Sequence, residues 1–131
     1  MFSHVTLGTN DFPKARAFYD TILPPLGWSC IDASAEHGYA GYARAEGTTP
    51  QFWLLKPIDG KAATVGNGVT IAFEAKNRAA VDAFHAAALA AGARDEGAPG
   101  LRPHYHADYY GAYVRDLDGN KLCCVCHKPP A

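Results

Sequence analysis

Between Arg102 and Tyr110 the chain sets a guanidinium, two imidazoles, a carboxylate and three phenols within nine residues, Arg102-Pro103-His104-Tyr105-His106-Ala107-Asp108-Tyr109-Tyr110. Imidazole is the side chain that exchanges a proton near neutral pH, so His104 and His106 read as candidate general bases. Arg102 suits an anionic substrate group, and Tyr105 and Tyr109 suit stacking or hydrogen bonding to a ligand. The stretch Gly97 to Asp108, with Pro99 and Pro103, reads as a long loop, the kind of segment that closes over a site. A second group of reactive side chains follows at Cys123, Cys124 and Cys126, with Cys30 far upstream. Strand alternation puts Cys123 and His127 on one face and Cys124 and Cys126 on the other. The latter two read as small core residues. The Cys123 thiol becomes a base or nucleophile where a neighbouring cation favours the thiolate.

Such groups need a scaffold, and the scaffold is written twice. His4 to Leu23, HVTLGTNDFPKARAFYDTIL, aligns without gaps on Thr70 to Leu89, TIAFEAKNRAAVDAFHAAAL, at an offset of 66 residues. Val5 falls on Ile71, Leu7 on Phe73, Asp11 on Asn77, Phe18 on Phe84 and Leu23 on Leu89. Each copy opens with an alternating strand, Phe2 to Leu7 in the first, and continues into a helix. Asp11 and Asn77 are good N-caps, and Pro13 sits in a first turn where its missing N–H costs nothing. Ala15, Phe18, Tyr19, Ile22 and Leu23 form one apolar stripe, and Val81, Phe84, Ala88 and Leu89 the other. Pro24-Pro25 stops the first helix and Gly92 the second. Short strands follow at Trp28 to Asp32, Tyr39 to Ala43 and Gln51 to Lys56, then at Ala93 to Glu96, Tyr109 to Arg115 and Lys121 to His127. The turn Asp116-Leu117-Asp118-Gly119-Asn120 joins the last two.

The order is βαβββ twice, an α+β fold in one domain. The first module covers about 1–57, the linker about 58–68 and the second module about 69–128. Shared parity puts Val5, Leu7, Ile71 and Phe73 under the helices. His4, Thr6, Thr70 and Ala72 then face the other way, toward a cleft around which two such sheets curve. Trp53 shares parity with Gln51 and Leu55, so it lines that cleft if Gln51 does.

Length and charge bound the rest. A chain of 131 residues with 48% hydrophobic residues builds one cored domain. Twelve Lys and Arg against thirteen Asp and Glu leave no basic face for nucleic acid. No apolar run approaches the ~20 residues of a membrane span. The opening Phe2-Ser3-His4-Val5 has no basic or apolar leader, which reads as a cytoplasmic chain with reduced cysteines.

The whole pattern resembles the vicinal oxygen chelate superfamily, which includes glyoxalase I, extradiol dioxygenases, fosfomycin-resistance proteins and bleomycin-binding proteins. His4-Val5-Thr6-Leu7, Asn10-Asp11 and Ala17-Phe18-Tyr19 resemble its opening signature. Arg115-Asp116-Leu117-Asp118-Gly119-Asn120-Lys121-Leu122 resembles its closing hairpin. The resemblance implies paired βαβββ modules curving round a small-molecule cleft, and a homodimer. In metal-binding members, ligands come from the first and last strands of each module. Carried over, that set is His4, Gln51 and Cys123, with Thr70 where His is usual and Cys123 where Glu is usual. A His and a thiolate favour Zn²⁺, and the missing carboxylate leaves the ion weakly bound or absent. The implied function is binding of a small organic molecule, with glyoxalase-like lyase, isomerase or thiol-transferase chemistry. The alternative is metal-free sequestration of the bleomycin-resistance type. Ring-cleaving dioxygenase chemistry fits worst, since it needs two His and a Glu. On this reading Arg102, Tyr105, Tyr109, Trp53 and Thr70 contact substrate, and His104, His106 and Cys123 are catalytic candidates.

Overall fold

Each half of the chain folds as a strand, a helix and three further strands, in the computed structural model, which describes residues 1–130. The first module comprises β1 (His4–Gly8), α1 (Phe12–Ile22), β2 (Ser29–Ser34), β3 (Tyr39–Ala43) and β4 (Gln51–Leu55). The second comprises β5 (Thr70–Glu74), α2 (Arg78–Ala90), β6 (Arg94–Leu101), β7 (Tyr110–Arg115) and β8 (Lys121–Cys126). The sheets are separate and have the same order, β1-β4-β3-β2 and β5-β8-β7-β6. In both, the opening strand runs parallel to the closing strand. The repeat in sequence is therefore a repeat in fold. Among the described residues no helix is long and apolar enough to cross a membrane.

Local signals account for most boundaries. The Asp11 carboxylate accepts from the Lys14 N–H, and the Asn77 side chain accepts from the Ala80 N–H, so both helices are capped as expected. Gly92 follows the C-cap of α2 with φ 103°, a conformation that a Cβ disfavours. The apolar stripe of α2 differs from the sequence reading. Val81, Phe84, His85 and Ala88 are its buried residues, and Leu89 is exposed. His85 turns inward because Asp95 of β6 gives its Nε2 a partner at 3.0 Å. The loop expected from Gly97 is shorter too. β6 runs on to Leu101 through two irregularities around Gly97. Pro99 is tolerated there because β6 is an edge strand, which has an outer side needing no donor.

One core serves both modules. It takes Phe18, Tyr19 and Ile22 from α1, Phe52 and Leu54 from β4, Phe73 from β5, and Leu122, Cys124 and Cys126 from β8. Phe73 packs edge-on against Phe52 at 5.6 Å and Trp28 at 5.5 Å between ring centroids. The helix-facing sides of the two sheets thus meet in the middle. Their opposite faces look away from this core, and among the described residues neither β1 nor β5 has a neighbour on its outer edge.

A polar latch fixes the modules against each other. The Asp116 carboxylate, in a residue only 5% exposed, begins the β7–β8 turn. Oδ1 accepts from the backbone N–H groups of Asp118 (3.0 Å) and Asn120 (2.8 Å). Oδ2 accepts from Asn120 Nδ2 at 3.0 Å and from the Tyr19 hydroxyl of α1. Asn120 also donates to the Gly8 carbonyl, and the Asn10 N–H donates to Asp118. Burial, then the adjacent Asp116 charge, holds the Tyr19 phenol well above the usual tyrosine range, so it stays a donor. Removing one donor from a buried carboxylate is costly. Tyr19→Phe is expected to lower unfolding stability by about 1.5–3 kcal/mol, measured by urea denaturation at an unchanged m-value.

Candidate functional site

The outward face of the first sheet carries His4, Thr6, Gln51, Trp53 and Tyr39. Register sets His4 opposite Gln51 and Thr6 opposite Trp53. His4 and Thr6 are exposed, and Trp53 is half-buried. The indole lies flat over Gly41, where a Cβ would come within 2.5 Å of the ring, and its Nε1 donates to Gln51 Oε1 at 3.0 Å. The glycine makes room for the indole, and the amide fixes its angle.

The outward face of the second sheet is the richer one. Thr70 stands opposite Lys121, and Ala72 and Tyr113 flank Cys123 on either side. With Tyr105 and Tyr109 these residues enclose a hollow of about 300 Å³. Cys123 faces this hollow, as its parity requires, yet is only 1% exposed. Phenols cover it: Tyr109 Oη lies 3.6 Å from its Sγ and 2.7 Å from Tyr113 Oη. Cys124 and Cys126 lie in the core, where the sequence put them.

The segment 102–109 forms a strap across this hollow. Arg102 is spent on holding it: its Nη atoms donate to the carbonyls of Ala98 and Gly100, while the guanidinium sits 5.6 Å from the Tyr113 ring. Arg102 thus builds the wall. His104 leans on Tyr105, and Tyr105 on Tyr109, with centroids 4.3 and 4.8 Å apart. His106 Nδ1 accepts from the Asp108 N–H at 3.1 Å, and His106 Nε2 lies 2.9 Å from His127 Nδ1. One proton pattern satisfies both contacts. His106 carries its proton on Nε2 and donates it to His127, whose own proton is on Nε2. Both rings meet Tyr109 edge-on, at 5.6 and 5.5 Å. The pair pins the strap to the end of β8, and both His106 nitrogens are engaged.

Two sequence expectations, the thiol and the metal, meet the geometry here. The cations near the Cys123 thiol do not outweigh its burial. Burial pushes it up, outweighing the opposing pull of hydrogen bonds from Tyr109 and Tyr113 and of the Arg102 and Lys121 charges. Cys123 is therefore a neutral thiol at pH 7, not a ready nucleophile. The second concerns the metal. Cys123 is the third residue of β8, opposite Ala72; the residue at that place in the first module is Trp53, opposite Thr6. Gln51 stands one step of the alternation away, and its amide oxygen is taken by Trp53. His4 lies on the outward face of one sheet and Cys123 on that of the other. Among the described residues no three of His, Cys, Asp and Glu converge as metal ligands. Within one chain this donor set does not fit a divalent ion.

Lys121 escaped the sequence reading, where it belonged only to the hairpin signature. The parity that puts Cys123 and His127 on one face puts Lys121 there too, and that was the available signal.

The four thiols should separate chemically. At pH 8, iodoacetamide is expected to alkylate exposed Cys30 first. Cys123 should react at least about tenfold more slowly, as should Cys124, which burial pushes up to about 12. His127→Phe keeps a ring but deletes the acceptor for His106, so it should free the strap and speed Cys123 labelling while leaving Cys124 slow. Peptide mapping by mass spectrometry checks both outcomes.

Known proteins agree with this architecture. The family model of the Glyoxalase/Bleomycin resistance protein/Dioxygenase superfamily matches residues 1–124. A glyoxalase/bleomycin resistance protein from Albidiferax ferrireducens T118 is 39% identical, with TM-score 0.81, over 98% of this chain and 99% of that one. A glyoxalase-related enzyme from Fulvimarina pelagi is similar in fold at 19% identity and TM-score 0.73, over 96% of this chain and 87% of that one. A lactoylglutathione lyase from Agrobacterium tumefaciens is similar at 20% identity and TM-score 0.64, over 96% and 92%. No curated protein matches the chain. With nearly the whole chain matched and both modules in place, this protein belongs to the Glyoxalase/Bleomycin resistance protein/Dioxygenase superfamily.

Proposed function

We propose that this protein binds a small organic molecule in the hollow of its second sheet, and that the first sheet of a second copy roofs that hollow. The observation carrying the reading is the hollow itself. Its volume of about 300 Å³ matches a small ligand, and Tyr105, Tyr109 and Tyr113 supply apolar walls with polar tips. The homodimer is supported by the edges. β1 and β5 each leave one side unpaired, and Phe2 and Val69, just before them, are 81% and 50% exposed. An uncovered strand edge beside apolar side chains is a surface that pairs. Pairing through these edges brings His4, Gln51 and Trp53 of one copy toward Thr70 and Cys123 of the other. Four unpaired cysteines suit a reducing, cytoplasmic setting.

Binding in this reading needs no metal. Thr70 adds no charge, and the Cys123 thiol must lose a proton that burial makes it keep. Zn²⁺ titration of the wild type is expected to reveal no tight site. Thr70→His combined with Cys123→Glu should raise Zn²⁺ affinity by at least about tenfold, by adding an imidazole and a carboxylate.

The binding test uses the dye 1-anilinonaphthalene-8-sulfonate together with light scattering. A dimer at micromolar concentration, with dye fluorescence that falls on Tyr105→Ala, is expected. Val69→Arg should split the dimer and weaken the dye with it. A monomeric wild type sinks the roof, and fluorescence indifferent to Tyr105→Ala sinks the hollow.

A further inference from the structure

The polar lining of the hollow is one-sided. Thr70, Tyr105, Tyr109, Tyr113, Lys121 and Cys123 all carry a proton to donate, and no carboxylate is among the lining residues. Lys121 Nζ lies 5.2 Å from the centre of the Tyr113 ring, and the Arg102 guanidinium 5.6 Å from it. The carboxylate on the neighbouring strand, Glu96, is already held by Arg115 Nε at 2.7 Å. Arg102 is spent on the Ala98 and Gly100 carbonyls, which leaves Lys121 as the lining charge, with no lining carboxylate to meet it. An anionic oxygen answers it.

The hydroxyls add direction. Cys123 Sγ, Tyr109 Oη and Tyr113 Oη form a chain with steps of 3.6 and 2.7 Å. Three protons serve two contacts, so one proton is always left over. When the thiol donates to Tyr109 and Tyr109 donates to Tyr113, the free proton is on Tyr113 Oη, at the tip of the ring that Lys121 Nζ lies over. An anion there selects that order, and each link strengthens the next. Burial is the leading cause that raises both phenols and the thiol, which keeps all three protons in place at neutral pH. The rings of Tyr105 and Tyr109 pack at a tilt along the strap, centroids 4.8 Å apart, and line the hollow with aromatic surface suited to a flat body.

We infer that the hollow is a seat for a flat molecule bearing an anionic oxygen, a phenolate, enolate or aromatic carboxylate, with that oxygen received by Tyr113 Oη and Lys121 Nζ. This inference rests on the reading of the hollow as a binding site and goes further, by naming the ligand's charge and shape. It makes Tyr113 and Lys121 binding residues, and Tyr109 and Cys123 the groups that orient the Tyr113 proton.

The probe is 4-nitrophenol, whose anion alone absorbs visible light, compared with neutral 4-nitrotoluene of similar shape. Bound 4-nitrophenol is expected to ionise at lower pH than the free dye. Tyr113→Phe should weaken the bound anion by about tenfold or more, the scale of one hydrogen bond to a charged group, while leaving 4-nitrotoluene unchanged. Lys121→Gln, a partly exposed change that spares the core, should weaken the anion in the same sense. Binding of 4-nitrophenol as the neutral phenol overturns the oxyanion seat, and so does equal anion affinity in Tyr113→Phe and Lys121→Gln. If 4-nitrotoluene binds and the nitrophenolate does not, the seat is wrong and the hollow stands as a binding site. If neither binds at millimolar concentration, the hollow fails and the seat with it.

Discussion

A buried carboxylate cannot sit idle: its charge must be met by donors on every side. Asp116 meets that demand with two backbone N–H groups, the Asn120 amide and the Tyr19 hydroxyl. The first three donors belong to its own turn and shape the β7–β8 hairpin. The fourth comes from the other module, 97 residues away in the chain. One side chain thus satisfies a local turn and a long-range contact together. That constraint sets the angle between the modules, because α1 cannot shift without stripping a donor from the carboxylate. Asn10 and Asn120 bind the same corner from either side, to Asp118 and Gly8.

The consequence reaches the outward faces. With the helix-facing sides of both sheets committed to one core, the other two faces are turned away from each other. β1 and β5, which would have to lie side by side to join the sheets in one chain, are both left as edges. The two halves share a fold and differ in what they display. The first shows an indole laid on a glycine, with His4 and Gln51 beside it. The second shows phenols, a thiol and a lysine under a strap. The fold offers the same positions twice, and a handful of outward-facing residues make one face a wall and the other a hollow.

Much of this was legible in sequence because it depends on periodicity and on short-range capping. The gapless repeat, the N-caps at Asp11 and Asn77, and the parity separating Cys123 from Cys124 all follow from local geometry. What escaped depends on partners distant in the chain. His85 reads as a helix residue against solvent or the sheet edge, and only Asp95 of the edge strand β6 decides between them. Arg102 reads as a free cation until the irregular β6 presents two carbonyls to it. Gln51 reads as the ligand-type residue of β4 until the parallel register shows that Trp53 occupies the place of Cys123. Cys123 has the position of a reactive group, but its reactivity is set by the rings that cover it, and no spacing rule reports burial.

Set beside the His and Glu that the family resemblance implies at these places, Thr70 and Cys123 differ in one physical direction. An imidazole and a carboxylate are strong donors to a cation, and a hydroxyl and a buried neutral thiol are weak ones. The face as it stands offers a cation little negative charge or lone-pair strength. What then dominates the electrostatics of that face is the protein's own cations, Lys121 and Arg102, each set against the Tyr113 ring, whose π face holds them while their charge remains. A face that prefers a bound cation and a face that prefers a bound anion differ in sign. The same strands and the same hairpin hold either, because the fold depends on Asp116 and the shared core, and neither of these touches the residues that set the sign.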